Sequence, residues 1–221
     1  MAFSAIIVGN GPSLWGAHRG HFIDSHDYVI RLGAFRKAYN IWDYGKKTDA
    51  VCIPNTLVWR LIKHSYIHNV EVWIAWKEGP QFSTIGVSGS DYNTRADLYV
   101  PKGPDSILRL DTGPFNKIVY FSVLLHFYKD MFKKYYPDGY FFSKGCTAAL
   151  IVMDYLMLNK LVLIGCDNLK SGSNSSFKSH RYNFGTGQVE YSEVDSNHSY
   201  ELEHVLIDKV KDNYPVEVVY V

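Results

Sequence analysis

A short apolar run, Phe3 to Val8, stops abruptly at Gly9-Asn10-Gly11-Pro12. The run reads as a strand, and glycine lets the backbone turn tightly at its end with no Cβ in the way. Pro12 suits the first position of a helix, whose free N–H groups would face whatever lies above the strand. The same alternation continues along the chain. Apolar, β-rich runs at Ala5–Val8, Tyr28–Leu32, Ala50–Ile53, Val70–Ala75, Leu161–Ile164 and Val216–Tyr220 predict strands. Helical patterns fall over Thr56–Ser65, Asn116–Tyr135, Gly145–Leu158 and Ser199–Asn213. Strands separated by helices predict an α/β fold, a mostly parallel sheet flanked by helices. In Gly145–Leu158 the residues Cys146, Ala149, Leu150, Met153, Leu156 and Met157 recur at helical spacing, which predicts one core-facing stripe. Leu202, Val205, Leu206 and Val210 predict the same for the last helix.

The 221 residues suit a single domain over 1–221. Hydrophobic residues at 47% and charged residues at 20% are ordinary for a soluble globular chain. The net charge of +1 argues against nucleic acid as the main partner. There is no apolar run of about 18 residues, so no transmembrane segment is expected. Residues 1–8 lack a basic region followed by a long apolar core, so no signal peptide is expected either. Cys52, Cys146 and Cys166 have no metal-ligand spacing, and a low, odd count favours a reducing compartment, the cytoplasm. Two stretches lack periodicity. Glu78–Ser106 reads as surface loops, and the polar, glycine-rich stretch 168–197 reads as a lid loop following a strand end.

Several residues invite a chemical reading. The Gly9-Asn10-Gly11 turn has a nucleotide-binding shape, but the third glycine of the dinucleotide fingerprint is missing. A tight turn without a ligand explains it equally. Ser143 and Gly145 open a predicted helix, where hydroxyl and N–H groups can hold a phosphate, a carboxylate or a base edge. Ser143 can also be no more than a helix cap. Asn55, ahead of Thr56, reads as a cap for the helix predicted there. His180 and Tyr182 lie in a polar loop and could hydrogen-bond a leaving phosphate. His198 stands just before the last helix, whose positive end favours a neutral imidazole able to accept a proton. Asp195, Glu201 and Glu203 pull the other way. Asp24 and Asp27 read as fixing a turn and a strand start. The remaining histidines are scattered and receive no ligand role.

Taken in order, these segments resemble the sialylmotifs of sialyltransferases. Val8-Gly9-Asn10-Gly11, Ile23-Asp24-Ser25-His26-Asp27, Val29-Ile30-Arg31 and Tyr44-Gly45-Lys46-Lys47-Thr48-Asp49 resemble the large motif of the animal-type enzymes. Gly9-Asn10-Gly11-Pro12-Ser13-Leu14 is similar to the turn of the bacterial ones. Ser143-Lys144-Gly145, followed by Leu161–Asp167, resembles the small motif. His180-Arg181-Tyr182-Asn183 resembles the third, and His198 with Glu203 the very small one.

The resemblance implies a Rossmann-like, GT-A-like sialyltransferase fold with a polar, acceptor-side lid over 168–197. It implies inverting transfer of sialic acid from CMP-sialic acid to a sugar hydroxyl of a glycan acceptor. His198 would be the general base, with Glu203 beside it in the catalytic set. Gly9, Asn10, Gly11, Asn55, Ser143, Gly145, His180 and Tyr182 would hold the CMP-sugar donor. No cofactor and no metal are expected: no Asp-x-Asp occurs, and a CMP-sugar leaves as a monophosphate. Three departures stand out. Gly33 replaces the family Asn of Arg-x-Asn, which leaves the exact donor sugar open. Lys144 replaces a small hydroxyl residue. Ala5 and Asn159 stand where the animal-type enzymes carry a disulfide. Alternatives are another CMP-activated acidic sugar as donor, a non-catalytic nucleotide-binding protein, or a pyrophosphokinase-like enzyme. The pattern says nothing of acceptor, linkage or oligomeric state.

Overall fold

The computed structural model describes residues 3–32, 40–54, 71–75, 117–120, 143–171, 179–182, 189–192 and 199–221. Seven of the strands are β1 (Ser4–Val8), β2 (Tyr28–Leu32), β3 (Ala50–Pro54), β4 (Glu71–Ala75), β5 (Lys117–Tyr120), β6 (Lys160–Ile164) and β9 (Glu217–Tyr220). They form one sheet in the order β5-β4-β3-β2-β1-β6-β9, and every neighbouring pair is parallel. The expected parallel α/β sheet is therefore present. The strand order steps outward from β1 to β5, then returns to place β6 on the other side of β1. Open α/β sheets bind ligands beyond the carboxyl ends of strands where the order reverses in this way. Here that point lies between β1 and β6.

β1 and β6 read as near-continuous apolar runs because both faces are covered. Ala5 and Ile7 of β1 join Leu161 and Leu163 of β6 in one core, against α3 (Lys144–Tyr155) and α5 (Tyr200–Lys211). Ile6, Val8, Val162 and Ile164 join Leu14, Ile23 and Tyr44 on the other face, with α1 (Gly20–Asp24) and α2 (Ile41–Tyr44). Removing a core leucine such as Leu163 would cost about 2–5 kcal/mol. Asn159 clips the sheet's start. Its backbone N–H donates to the Phe3 carbonyl at 3.0 Å, and its Oδ1 accepts from Phe3 N at 3.2 Å.

The structure corrects several expectations. Lys117–Tyr120 is strand rather than part of a helix, a reading its Ile-Val-Tyr run already allows. The rest of that predicted helix, and the one over Thr56–Ser65, lie outside the described residues, as does Glu78–Ser106. The stretch 168–197 is not a featureless loop. It holds most of α4 (Asp167–Ser171) and an antiparallel pair, β7 (Ser179–Tyr182) with β8 (Val189–Ser192), as a separate two-stranded sheet. Pro12 opens a 3-10 turn of three residues, Pro12–Leu14, and not a long helix.

Helix α3 is buried on more than one stripe, since Ala148, Ile151 and Val152 are as enclosed as Leu150. It is wedged between the sheet and α5, and it stops at Tyr155, which leaves Met157 fully exposed. The inner face of α5 is Glu203, Leu206, Ile207 and Val210, a set at i, i+3, i+4 and i+7, while Val205 faces out. A carboxylate thus holds a core position.

Candidate functional site

The large-motif residues form a frame. Asp24 accepts from the N–H groups of Lys46, at 2.9 Å, and Lys47, at 2.8 Å. Gly45 is positive in φ, and a Cβ there would lie 2.4 Å from Asp24 Oδ1. Lys47 Nζ donates to the carbonyls of His26 and Asp27. The Arg31 side chain is fully buried and donates from Nε to Thr48 Oγ1 at 2.8 Å and from its guanidinium NH2 to the Lys47 carbonyl at 2.8 Å. Asp49 Oδ2 accepts from Val29 N at 2.8 Å. Asp27 accepts from Ser4 N and Ser4 Oγ, and those bonds hold its carboxyl below the usual carboxylate range. Asp24 and Asp27 are structural here, as expected. The motif ties α1 and β2 to the loop that enters β3.

The frame presents the turn after β1. Gly9 N donates to the Ile164 carbonyl and Gly11 N to the Gly165 carbonyl, both at 2.8 Å. A Cβ on Gly9 would meet the Gly165 oxygen at 2.1 Å, and one on Gly11 would meet the Asp167 carboxylate at 2.4 Å. Glycine is required at both positions by the turn after β6. Asn10 Nδ2 donates to the Leu32 carbonyl at 3.0 Å, at the end of β2 and immediately before Gly33. Among the described residues Asn10 Oδ1 has no partner.

Asp167 was not among the expected site residues, and it is central to the geometry. Its Oδ2 accepts from Ser13 N at 3.0 Å, and its Oδ1 accepts a short bond from Ser13 Oγ. The amide that the Pro12 turn offers is thus already held by a carboxylate of the same chain. The signal in the sequence is an Asp two residues after Gly165, which follows the last residue of β6.

The start of α3 repeats this arrangement. Ser143 is its N-cap, and Ser143 Oγ accepts from Cys146 N at 3.1 Å. Ser143 N donates to Glu203 Oε1 at 2.7 Å, and Ser143 Oγ donates to Glu203 Oε2 at 2.5 Å. Glu203 is wholly buried, and its charge meets the positive end of α3. Two residues expected in the site, Ser143 and Glu203, are therefore brought together across the fold. Gly145 faces packing: a Cβ there would press on Leu169 at 2.7 Å.

Burial pushes the Cys166 thiol up to about 12, with Asp167 adding to the effect. Burial, then Glu203, raises Cys146 well above its ordinary value. His204, expected to have no ligand role, ties α5 to α4 through Nδ1 and the Leu169 carbonyl at 2.8 Å. His26 is buried, with Nδ1 2.9 Å from the Phe22 carbonyl. His180 and Tyr182 sit two positions apart on β7, paired in register with Tyr191 and Val189. His198, Asn55 and Gly33 lie outside the described residues.

Comparison with known proteins agrees with the motif reading. Residues 4–85 match the family model of glycosyltransferase family 29 (sialyltransferase). No curated protein matches the chain. A solved mammalian sialyltransferase in complex with Gal-beta-1-3GalNAc-ortho-nitrophenol is similar, with 14% identity, a TM-score of 0.51, and coverage of 98% of this chain and 69% of that one. A second mammalian sialyltransferase structure gives 14%, 0.51, 98% and 68%. The family match spans the Gly9-Asn10-Gly11 turn and the frame around Arg31. The resemblance to sialyltransferases, the α/β fold and the glycosyltransferase class are borne out.

Proposed function

We propose that this chain transfers sialic acid from CMP-sialic acid to a sugar hydroxyl, with inversion and without a metal. The observation that carries this reading is the position of the family-matched turn. Gly9, Asn10 and Gly11 lie where β1 and β6 run side by side and the strand order reverses. The acceptor oxygen attacks the anomeric carbon, the bond to the CMP phosphate oxygen breaks, and CMP leaves. His198 takes the hydroxyl proton. In support, His198 directly precedes Ser199, the N-cap of α5, and α5 is fastened to Ser143 through Glu203. Glu203, placed with His198 in the expected catalytic set, acts in this reading by holding α3 and α5 together. Asn10, with an amide oxygen unpartnered among the described residues, contacts the donor, with Ser143, Asn55, His180 and Tyr182 as further donor contacts. Gly33, just past Leu32, favours a second reading in which a related CMP-activated acidic sugar is the donor. The site would work in a reducing compartment, the cytoplasm, as the low cysteine count suggests.

The test is a product assay with CMP-sialic acid and a panel of glycan acceptors, run with and without EDTA. Wild type should form sialylated product in both, and His198→Ala should lose on the order of 10²–10⁴-fold in rate while still binding CMP. Binding of CMP with no product on any acceptor would favour the non-catalytic alternative. A requirement for magnesium or manganese would overturn metal independence.

A further inference from the structure

We infer that the surface carrying Trp15, Ile41 and Trp42 docks on an anionic lipid bilayer. Large apolar side chains ordinarily hide in the core, so a cluster of exposed ones marks an interaction surface. Trp15 is 61% exposed, Ile41 58% and Trp42 71%. Their backbone segments are neighbours. Gly16 N and His18 N each donate to a carboxylate oxygen of Asp43 at 2.9 Å, which ties the residue after Trp15 to the residue after Trp42. Gly20 packs so closely on α2 that a Cβ there would lie 2.0 Å from the Ile41 carbonyl oxygen. The backbone under the three side chains is thus fixed from within.

The charges around them select the occupant. From Trp15 to His21 and from Asn40 to Lys47 the one acidic residue is Asp43. It is buried, and both its oxygens are taken by amides. The neighbouring Asp24 is half-buried and is taken by the amides of Lys46 and Lys47. Arg19, Lys46 and His18 are exposed. The carboxylates are therefore turned inward and the cations outward, beside two tryptophans. Tryptophan favours the membrane–water interface, and arginine and lysine are drawn to anionic headgroups. A platform for sugar would need acceptors for its hydroxyl groups as well as aromatic faces. Here the Asn40 amide oxygen is spent on Trp42 N at 3.0 Å, and the exposed polar groups are chiefly donors, which suit lipid phosphates. No helix among the described residues is long and apolar enough to cross a membrane, and the contact inferred is with the bilayer surface.

The experiment is co-sedimentation of the protein with phosphatidylcholine vesicles, with and without phosphatidylserine, at two salt concentrations. Wild type should bind the vesicles that contain phosphatidylserine, bind the neutral ones weakly, and lose binding as salt rises. Trp15→Ser with Trp42→Ser should weaken binding at least about tenfold through lost apolar contact. Arg19→Glu with Lys46→Glu should do so through lost attraction, again by about tenfold or more. The charge pair keeps the test open if the tryptophan pair fails to fold. Wild type that ignores phosphatidylserine, or folded variants that bind as wild type does, would overturn the inference. So would tryptophan fluorescence that responds to soluble glycans and not to vesicles, or self-association through this face without vesicle binding. The inference does not rest on the proposed reaction, so vesicle binding and sugar transfer succeed or fail separately.

Discussion

Asp167 and Glu203 make the same pair of bonds at two places in the fold. Each takes the backbone amide and the hydroxyl of a serine, Ser13 for Asp167 and Ser143 for Glu203. Their surroundings differ. Glu203 sits on the inner face of α5 with Leu206, Ile207 and Val210 and sees no solvent. Asp167 opens the short α4 and is partly exposed. A buried carboxylate that loses its serine becomes an uncompensated charge in the core, whereas an exposed one is rescued by water. The first arrangement therefore holds the fold together. The second can be lost without dismantling the core.

The largest effect that could break this comparison is on stability. Glu203→Ala strands the Ser143 amide and hydroxyl and opens a cavity, so it should cost about 3 kcal/mol or more. Asp167→Ala should cost about 1 kcal/mol or less, because water can replace its carboxylate. Denaturant unfolding of the two variants measures both. Equal losses would mean that the two serines are held alike and that the exposure difference has no consequence.

Thiol chemistry sharpens the same contrast. Cys146 follows Ser143 on α3, and Cys166 precedes Asp167. Both thiols resist ionisation through burial, Cys166 to about 12. Alkylation of the native protein near pH 8 should be slow at both, since the thiolate is the reacting species. It should reach Cys166 before Cys146, which is completely buried. Peptide mapping after timed iodoacetamide treatment reports the order, and the reverse order would place the looser packing at α3.

The smallest effect concerns another carboxylate on backbone amides. Asp43 Oδ2 accepts from Gly16 N and Oδ1 from His18 N, both at 2.9 Å. The Gly16 bond lowers its carboxyl below 3.8, against the opposing pull of burial, with the His18 N–H and side chain assisting. A group depressed in the folded state contributes stability above its unfolded value and loses it as pH falls through the folded one. The contribution of Asp43 should therefore be complete at neutral pH and fade below about pH 4. Asp43→Asn should unfold more easily at pH 7 and show a shallower loss on acidification than wild type. Parallel acid titrations of the two proteins would sink this account if their slopes matched below pH 4.

Much of this fold was legible in the order of residues. Tyr28–Leu32 reads as a strand because β-branched and aromatic residues fill a run bounded by polar turns, and the strand observed has those bounds. Lys117–Tyr120 falls inside a predicted helix because a short apolar run fits helix and strand alike, and periodicity alone does not decide between them. The antiparallel pair of β7 and β8 is hidden in the sequence because Ser-His-Arg-Tyr and Val-Glu-Tyr-Ser are too polar to show an apolar alternation. At the site, the motifs marked Gly9, Asn10, Gly11, Ser143 and Glu203. They did not show that Ser143 and Glu203 meet, since 60 positions separate them and only the packing of α5 on α3 joins them. Asp167 and Ser13 are 154 positions apart, and their pairing is equally tertiary.

The central claim is that the nucleotide sits beyond the carboxyl ends of β1 and β6, and hydrogen exchange of wild type with and without CMP tests it most directly. Exchange reports local opening, and a bound ligand suppresses opening where it makes contact. The account predicts added protection at residues 9–15 and 165–169 and at the start of α3, with little change at α1 and α2. Protection confined to α1 and α2, or none anywhere at saturating CMP, would contradict it.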